Sequence, residues 1–95
     1  MRTVSYLLFT LAIAAQDFSK LQIEKLSGGY AFTEGPAWSR DGYLVFSDVP
    51  NNKIWRLTNE GKSILRDASN GANGNTFDAQ GRLLSCESKT RRVTR

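Results

Sequence analysis

The sequence contains one cysteine, Cys86, and no histidine. A single cysteine cannot form a disulfide within the chain, so packing alone must stabilise the fold. Because the chain has no histidine, no neighbouring imidazole can activate the thiol as a nucleophile. We therefore expect Cys86 to be buried as a small apolar residue.

Long apolar runs are also scarce, and the longest lies at the amino terminus. Residues 4–13 are almost continuously apolar, which is too short for a membrane-spanning helix of about 20 residues. They follow the cation of Arg2, and Ala12-Ile13-Ala14 at the end of the run supplies the small-x-small pattern of a cleavage site. We predict that residues 1–15 form a signal peptide and that the mature protein is exported, with no stable membrane insertion afterwards. The alternative is an amino-terminal core helix.

The positive charge of the chain is local. The net charge is +4, and residues 82–95 contain five basic residues and one acidic residue. Residues 16–81 contain seven basic and eight acidic residues. A nucleic-acid-binding protein needs cations spread over a face. We therefore expect no nucleic-acid partner, and we interpret the basic segment as a solvated strand face or the rim of a pocket.

The chain repeats itself at an interval of 39 residues. The segment EGPAWSRDGYLVFSD, residues 34–48, aligns with NGNTFDAQGRLLSCE, residues 73–87. The glycines at 35 and 42 match those at 74 and 81, and Asp48 matches Glu87. At most positions that would determine a strand or a turn, the two segments have residues of the same chemical type. This agreement indicates a repeated structural unit.

Each unit is predicted to be built from short β-strands, since no helical periodicity follows residue 15. Asp-Gly and Gln-Gly pairs separate apolar runs, as hairpin turns require. Further strands are predicted at residues 43–47, 54–57 and 63–66, and residues 67–74 form a link to the next unit.

Four short strands in about 40 residues are typical of a β-propeller blade. We predict an all-β propeller with a leading strand and linker in residues 16–30, and the first blade and part of a second in residues 31–95. A leading strand at 21–26 would complete the last blade of a closed ring. A two-sheet sandwich is the alternative fold, although it gives no reason for units that repeat in register.

Glu34 stands where the innermost strand of the first blade begins, and Asn73 takes the same place in the second. Carboxylate and amide oxygens gathered on a channel axis are ligands that a hard cation prefers. Gly35 lets the backbone crowd in, and Pro36 fixes the local φ, so that the carboxylate is held in place. The alternative is that Glu34 only accepts backbone hydrogen bonds at the start of a strand.

The segments FTEGPAWSRDGYLVFSDVPNNKIWRL and NGNTFDAQGRLLSCESKTRRVTR resemble the SMP-30/gluconolactonase/LRE-like family, and its bacterial gluconolactonase branch in particular. The resemblance implies a six-bladed propeller with one divalent cation in its channel, calcium ahead of zinc. It also implies hydrolysis of sugar-acid lactones as small-molecule substrates. Glu34 corresponds to a metal ligand of that family, whereas Asn73 is a channel-mouth residue. The resemblance places no catalytic residue within this chain, because the general base and the other ligands lie on later blades.

These observations leave three possible functions. The chain is expected to be the amino-terminal part of a metal-dependent lactonase and, by itself, inactive. A non-catalytic propeller that binds a ligand through its channel face is the second possibility, because one fold hosts many functions. The third is a truncated remnant without function, since a propeller needs at least three repeats for stability.

Overall fold

Two tight turns lie at positions that are related by the 39-residue repeat. The computed structural model describes residues 2–5 and 15–95. The amide of Gly42 donates to the carbonyl of Ser39 at 2.9 Å, and the amide of Gly81 donates to that of Asp78 at 2.9 Å. Both glycines have positive φ, 85° and 80°, which suits a turn that only glycine enters without strain. The predicted hairpins are therefore confirmed at equivalent positions.

Seven strands form two antiparallel sheets, which are the first blade and part of the second blade of a propeller. The first sheet has the order β1-β2-β3-β4, and the second has the order β5-β6-β7. The described residues contain no helix. The strand bounds are β1 Thr33–Ser39, β2 Tyr43–Asp48, β3 Lys53–Thr58, β4 Gly61–Asp67, β5 Ala72–Phe77, β6 Leu83–Glu87 and β7 Arg92–Thr94.

The core lies between the two sheets. Val45 and Ile54 of the first sheet and Ala72 of the second are buried together. Around them, the rings of Tyr43 and Phe77 meet edge to face with their centroids 6.3 Å apart. Each blade thus buries one face against its neighbour, which is how repeat proteins are stabilised.

Cys86 lies on the outer face of the second blade, which contradicts the prediction that it is buried. Cys86 is exposed, although a buried thiol was expected. Successive side chains of a strand point to opposite faces, and in β6 Ser85 and Glu87 are buried while Cys86 is not. Cys86 instead lies opposite the exposed Val93 of β7, on the face that would meet a third blade.

The predicted leading strand is not formed in this structure. Residues 21–26 belong to none of the strands. A strand needs a neighbouring strand, and the predicted partner is not among the described residues, so the leading strand stays a prediction. The segment that follows crosses the first sheet instead. The ring of Tyr30 lies against Phe46, 5.0 Å between centroids, and against Trp55, 5.6 Å between centroids.

The predicted signal peptide lies mostly outside the described residues, because residues 1 and 6–14 are not described. It therefore stays a prediction. Within the described part of the chain, no helix is long and apolar enough to cross a membrane.

Candidate functional site

One end of the two sheets collects the residues that the sequence singled out. Thr33 pairs with Asp48, and Ala72 pairs with Glu87. The first strand of each blade therefore begins where the second strand ends. The first strands of propeller blades line the central channel, so the end at which β1 and β5 begin corresponds to one mouth of that channel. We call it the channel end. It also carries the turns at residues 49–52 and 88–91 and the link at residues 68–71.

Glu34 is the second residue of β1 and is exposed at the channel end. Glu34 pairs with Ser47, and the next pair joins Ala37 to Val45, so β1 contains one extra residue here. This β-bulge interrupts the ladder directly after Glu34. Glycine and proline are the residues that bulges accommodate. The Glu-Gly-Pro sequence thus encodes a bulge that determines where the carboxylate is presented.

Gly35 is a point of close approach between the two blades. Its φ is +61°, and a Cβ at this position would overlap the carbonyl oxygen of Asn73. It would also lie 2.9 Å from the amide nitrogen of Asn75. The predicted crowding of the backbone at Gly35 is confirmed, and the structure shows that the neighbouring backbone belongs to β5.

Asn75 fastens the two blades together beside this contact. Its side-chain amide donates to the carbonyl of Gly35 at 3.0 Å and to the hydroxyl of Ser47 at 2.8 Å. Its side-chain oxygen accepts from the hydroxyl of Ser85 at 2.7 Å. Sequence reasoning missed this residue. The available signal was a polar residue within a predicted strand, which must find partners when it is partly buried.

Asn73 occupies the position in β5 that Glu34 occupies in β1, as predicted, and is half-buried. Its side-chain oxygen accepts from the amide of Gly74 at 2.6 Å, so part of its polar capacity is used within its own strand. Among residues 2–5 and 15–95, no three His, Cys, Asp or Glu side chains form a group that could hold a metal. Glu34 stays the one candidate ligand among these residues, as the resemblance to the family implies.

Two buried carboxylates anchor the channel end at equivalent positions of the repeat. Asp48 accepts from the backbone amide of Phe32 at 3.1 Å and from the side chain of Asn51 at 2.7 Å. Burial by itself would raise the pKa of Asp48, but these hydrogen bonds, one from Ala31 and the charge of Lys53 together lower it. Asp48 is thus an ionised anchor for the chain that leads into β1.

Glu87 has the corresponding role in the second blade. Its carboxylate accepts from Thr94 at 2.6 Å, Thr90 at 2.8 Å and Asn70 at 3.0 Å, and it pairs with Arg66 of the first blade at 3.0 Å. The bond from Thr94 lowers the pKa most and burial opposes it; with the bonds from Thr90, Asn70 and Arg66 the pKa falls to about 2. Glu87 therefore connects β4, the link and β7.

Replacing Glu87 with Gln is expected to reduce stability at neutral pH and to weaken its dependence on acid. The folded pKa lies below the unfolded value of about 4.5, so the stabilisation is present above that pH and is lost as the pH falls toward 2. Melting temperatures of the complete protein at pH 7 and pH 3 would measure this. We expect a decrease of roughly 5 °C or more at pH 7 and a smaller one at pH 3.

The matched control is Glu24→Gln, because Glu24 is exposed in the segment before β1. It should leave the melting temperature nearly unchanged at both pH values. An acid dependence of the Glu87→Gln protein equal to that of the wild type would show that this carboxylate does not anchor the blades.

Comparison with known proteins adds to this geometry. The family model described as SMP-30/Gluconolactonase/LRE-like region matches residues 32–95. A solved gluconolactonase from Xanthomonas campestris, described as important in glucose secondary metabolic pathways, is similar at 38% identity with a TM-score of 0.67. The match covers 70% of this chain and 23% of that chain. No match was found among curated proteins.

A second similar structure is an X-ray structure from a structural genomics consortium of a protein proposed to be a gluconolactonase. It is 32% identical with a TM-score of 0.69, and the match covers 74% of this chain and 25% of that chain. The chain therefore spans about a quarter of the length of these solved relatives. On the family match and these structures, the chain belongs to the SMP-30/gluconolactonase/LRE-like family.

Proposed function

We propose that the complete protein is an exported, metal-dependent lactonase that hydrolyses lactones of sugar acids. Membership of the family supports lactone hydrolysis, and the similar Xanthomonas campestris protein is a gluconolactonase. The sequence pattern of residues 1–15 supports export. The observation that carries the proposal is the exposed carboxylate of Glu34 at the channel end.

The surroundings of Glu34 suit a residue that must hold an ion in one place. The carboxylate stands on a bulge, the next residue touches the backbone of β5, and Asn75 holds the carbonyl of Gly35. A ligand that is positioned before the ion arrives loses little conformational freedom on binding. A charged oxygen is the donor type that calcium prefers, and zinc also accepts it. We therefore propose calcium, with zinc as the second candidate.

A divalent cation in the channel would supply a Lewis acid for the lactone carbonyl and for the negative charge that develops on its oxygen. The part of Glu34 is to hold this cation through a negative oxygen. A carboxylate engaged in this way is not available as the nucleophile, and the proposal takes water as the attacking group. The base that accepts a proton from this water, and the other ligands, are expected on later blades.

The test uses the complete protein recovered from the exported fraction of the source cells, so that its recovery there also tests export. Hydrolysis of D-glucono-1,5-lactone is followed by acid release against an enzyme-free blank. We expect chelation with EDTA to reduce the rate at least tenfold, because the ion stabilises charge worth several kcal/mol in the transition state. Calcium or zinc should restore the rate, and magnesium serves as the comparison ion.

The outcomes separate the parts of the proposal. Hydrolysis that EDTA does not affect would contradict the metal requirement but not the lactonase. No hydrolysis above the blank, in a protein that still binds calcium and a sugar acid, would favour the non-catalytic binding module. Absence of the protein from the exported fraction would contradict export alone.

A further inference from the structure

The turns at residues 49–52 and 88–91 are equivalent by the repeat, and they share a backbone arrangement at the channel end. The amide of Val49 donates to the carbonyl of Phe32 at 3.1 Å, and the amide of Ser88 donates to that of Gly71 at 3.2 Å. Each turn is thus held by the residue that precedes the first strand of its own blade. One chain therefore contains two copies of the same turn, which can be compared directly.

The two turns also share a left-handed residue at their last position. Asn52 has a φ of 58° and Arg91 has a φ of 53°. Asparagine enters this region readily, whereas a long side chain such as arginine does so at a cost. The backbone of the second turn would be more stable with asparagine. A function of the arginine side chain therefore explains this residue better than the backbone conformation does.

The difference between the turns is charge. The first turn, Val-Pro-Asn-Asn, has none, whereas the second, Ser-Lys-Thr-Arg, carries the cations of Lys89 and Arg91. Both side chains are exposed, and neither takes part in an ion pair within the described part of the chain. The neighbouring Arg92 differs, since Glu87 lies 3.4 Å from it. The second turn therefore carries two cations, two residues apart in the sequence, that form no ion pair among the described residues.

The second turn is fixed next to the proposed site. The hydroxyl of Ser88 donates to the carbonyl of Gly71 at 2.8 Å, and the amide of Lys89 donates to the carbonyl of Asn70 at 3.1 Å. This link leads directly into β5 and Asn73. Arg91 and Asn73 line the same surface depression. Arg91 is therefore presented at the channel end beside the residue that corresponds to Glu34, and Lys89 stands two residues before it in the same turn.

We propose that the turn at residues 88–91 binds an anionic group of the substrate, so that the preferred substrates are lactones with a free carboxylate or phosphate. A sugar-acid lactone has used its own carboxyl group in the ring ester, so a second acidic group is needed. The fork of a guanidinium matches the paired oxygens of either anion, and an ammonium adds a compact charge. The lactone part of this inference rests on the proposed function, whereas the binding of an anion does not.

The test is a double variant, Lys89→Gln with Arg91→Asn, in the complete protein. Asparagine copies Asn52, so the left-handed backbone should be retained. The control is Lys20→Gln with Lys25→Gln, which removes two exposed charges from the segment before β1. The substrates are D-glucono-1,5-lactone as the neutral probe, D-glucaro-1,4-lactone as the carboxylate probe and 6-phospho-D-glucono-1,5-lactone as the phosphate probe.

For the anionic probe that the wild type prefers, we expect the double variant to lower kcat/KM about tenfold relative to the neutral probe. The control variant should leave this ratio unchanged. The arm that responds identifies carboxylate or phosphate as the anion. A ratio that is the same in the wild type and the double variant for both anionic probes would overturn the inference.

Calorimetric titration separates this inference from the proposed function, because it needs no turnover. The probes are D-glucarate and 6-phospho-D-gluconate, each with two acidic groups, and D-gluconate with one. If no lactone is hydrolysed, the proposed function fails, and the inference is decided by binding. An affinity of the double variant at least tenfold weaker for either dianion supports it. Equal dianion affinities in the variant and the wild type overturn it.

Discussion

Glu34→Gln in the complete protein is expected to weaken divalent-metal binding by about 100-fold or more and to reduce turnover together with it. Groups that merely support a metal ligand contribute about 10–100-fold to affinity, so a ligand should contribute at least the upper value. Glutamine keeps the shape of the side chain but replaces the negative carboxylate oxygen with a neutral amide oxygen, which attracts a divalent cation less strongly. Calorimetric titration with calcium and kcat at saturating lactone would measure the two effects.

The control for this substitution is Glu24→Gln, since Glu24 lines the same surface depression as Glu34 but precedes β1. It removes the same charge and should change neither metal affinity nor kcat. A Glu34→Gln protein that binds calcium as tightly as the wild type, with unchanged kcat, would refute the assignment of Glu34 as a ligand. Measuring kcat of this variant against calcium concentration separates two causes. A kcat that recovers at high calcium shows lost affinity, and one that does not recover shows lost chemistry.

Gly35→Ala is expected to lower the free energy of unfolding of the complete protein by more than about 3 kcal/mol. The new Cβ would force a left-handed alanine and would overlap the carbonyl oxygen of Asn73, so β1 and β5 must separate. Urea denaturation followed by tryptophan fluorescence would measure the change. Because Glu34 stands on the same bulge, metal affinity should fall as well.

Gly42→Ala separates the two causes. Gly42 also has a positive φ, 85°, but a Cβ there meets no atom within 4 Å. Only the conformational cost should appear, which is roughly 1–2 kcal/mol. Equal destabilisation by the two substitutions would show that the contact with Asn73 contributes nothing to holding the blades together.

Local sequence signals predicted most of the fold. The interval of 39 residues relates β5 and β6 to β1 and β2, because turn residues and strand formers act over a few positions. The predicted link at residues 67–74 was too long, since β4 ends at Asp67 and β5 begins at Ala72. The Gly35-Pro36 pair also indicated a crowded backbone before the structure identified β5 as the neighbour. These features depend on short-range chemistry, which a single sequence contains.

The contacts between blades could not be predicted in the same way. Asn75 and Glu87 act across 28 and 21 positions of sequence, on Ser47 and Arg66. The residues around Asn75 and Glu87 in the sequence do not predict these partners, although the repeat did align Glu87 with Asp48. The expectation of a buried Cys86 was wrong, because Cys86 points to the face of β6 opposite that of the buried Ser85 and Glu87. The leading strand at residues 21–26 stays a prediction, because its predicted partner is not among the described residues. The metal role of Glu34 stays a prediction.

The most direct test is anomalous diffraction from crystals of the complete protein grown with calcium or zinc. We expect a propeller with one strong anomalous peak on its axis, about 2.0–2.6 Å from a carboxylate oxygen of Glu34. A bound cation whose coordination shell does not include Glu34 would contradict the account. The bulge at Gly35 would then only join two blades.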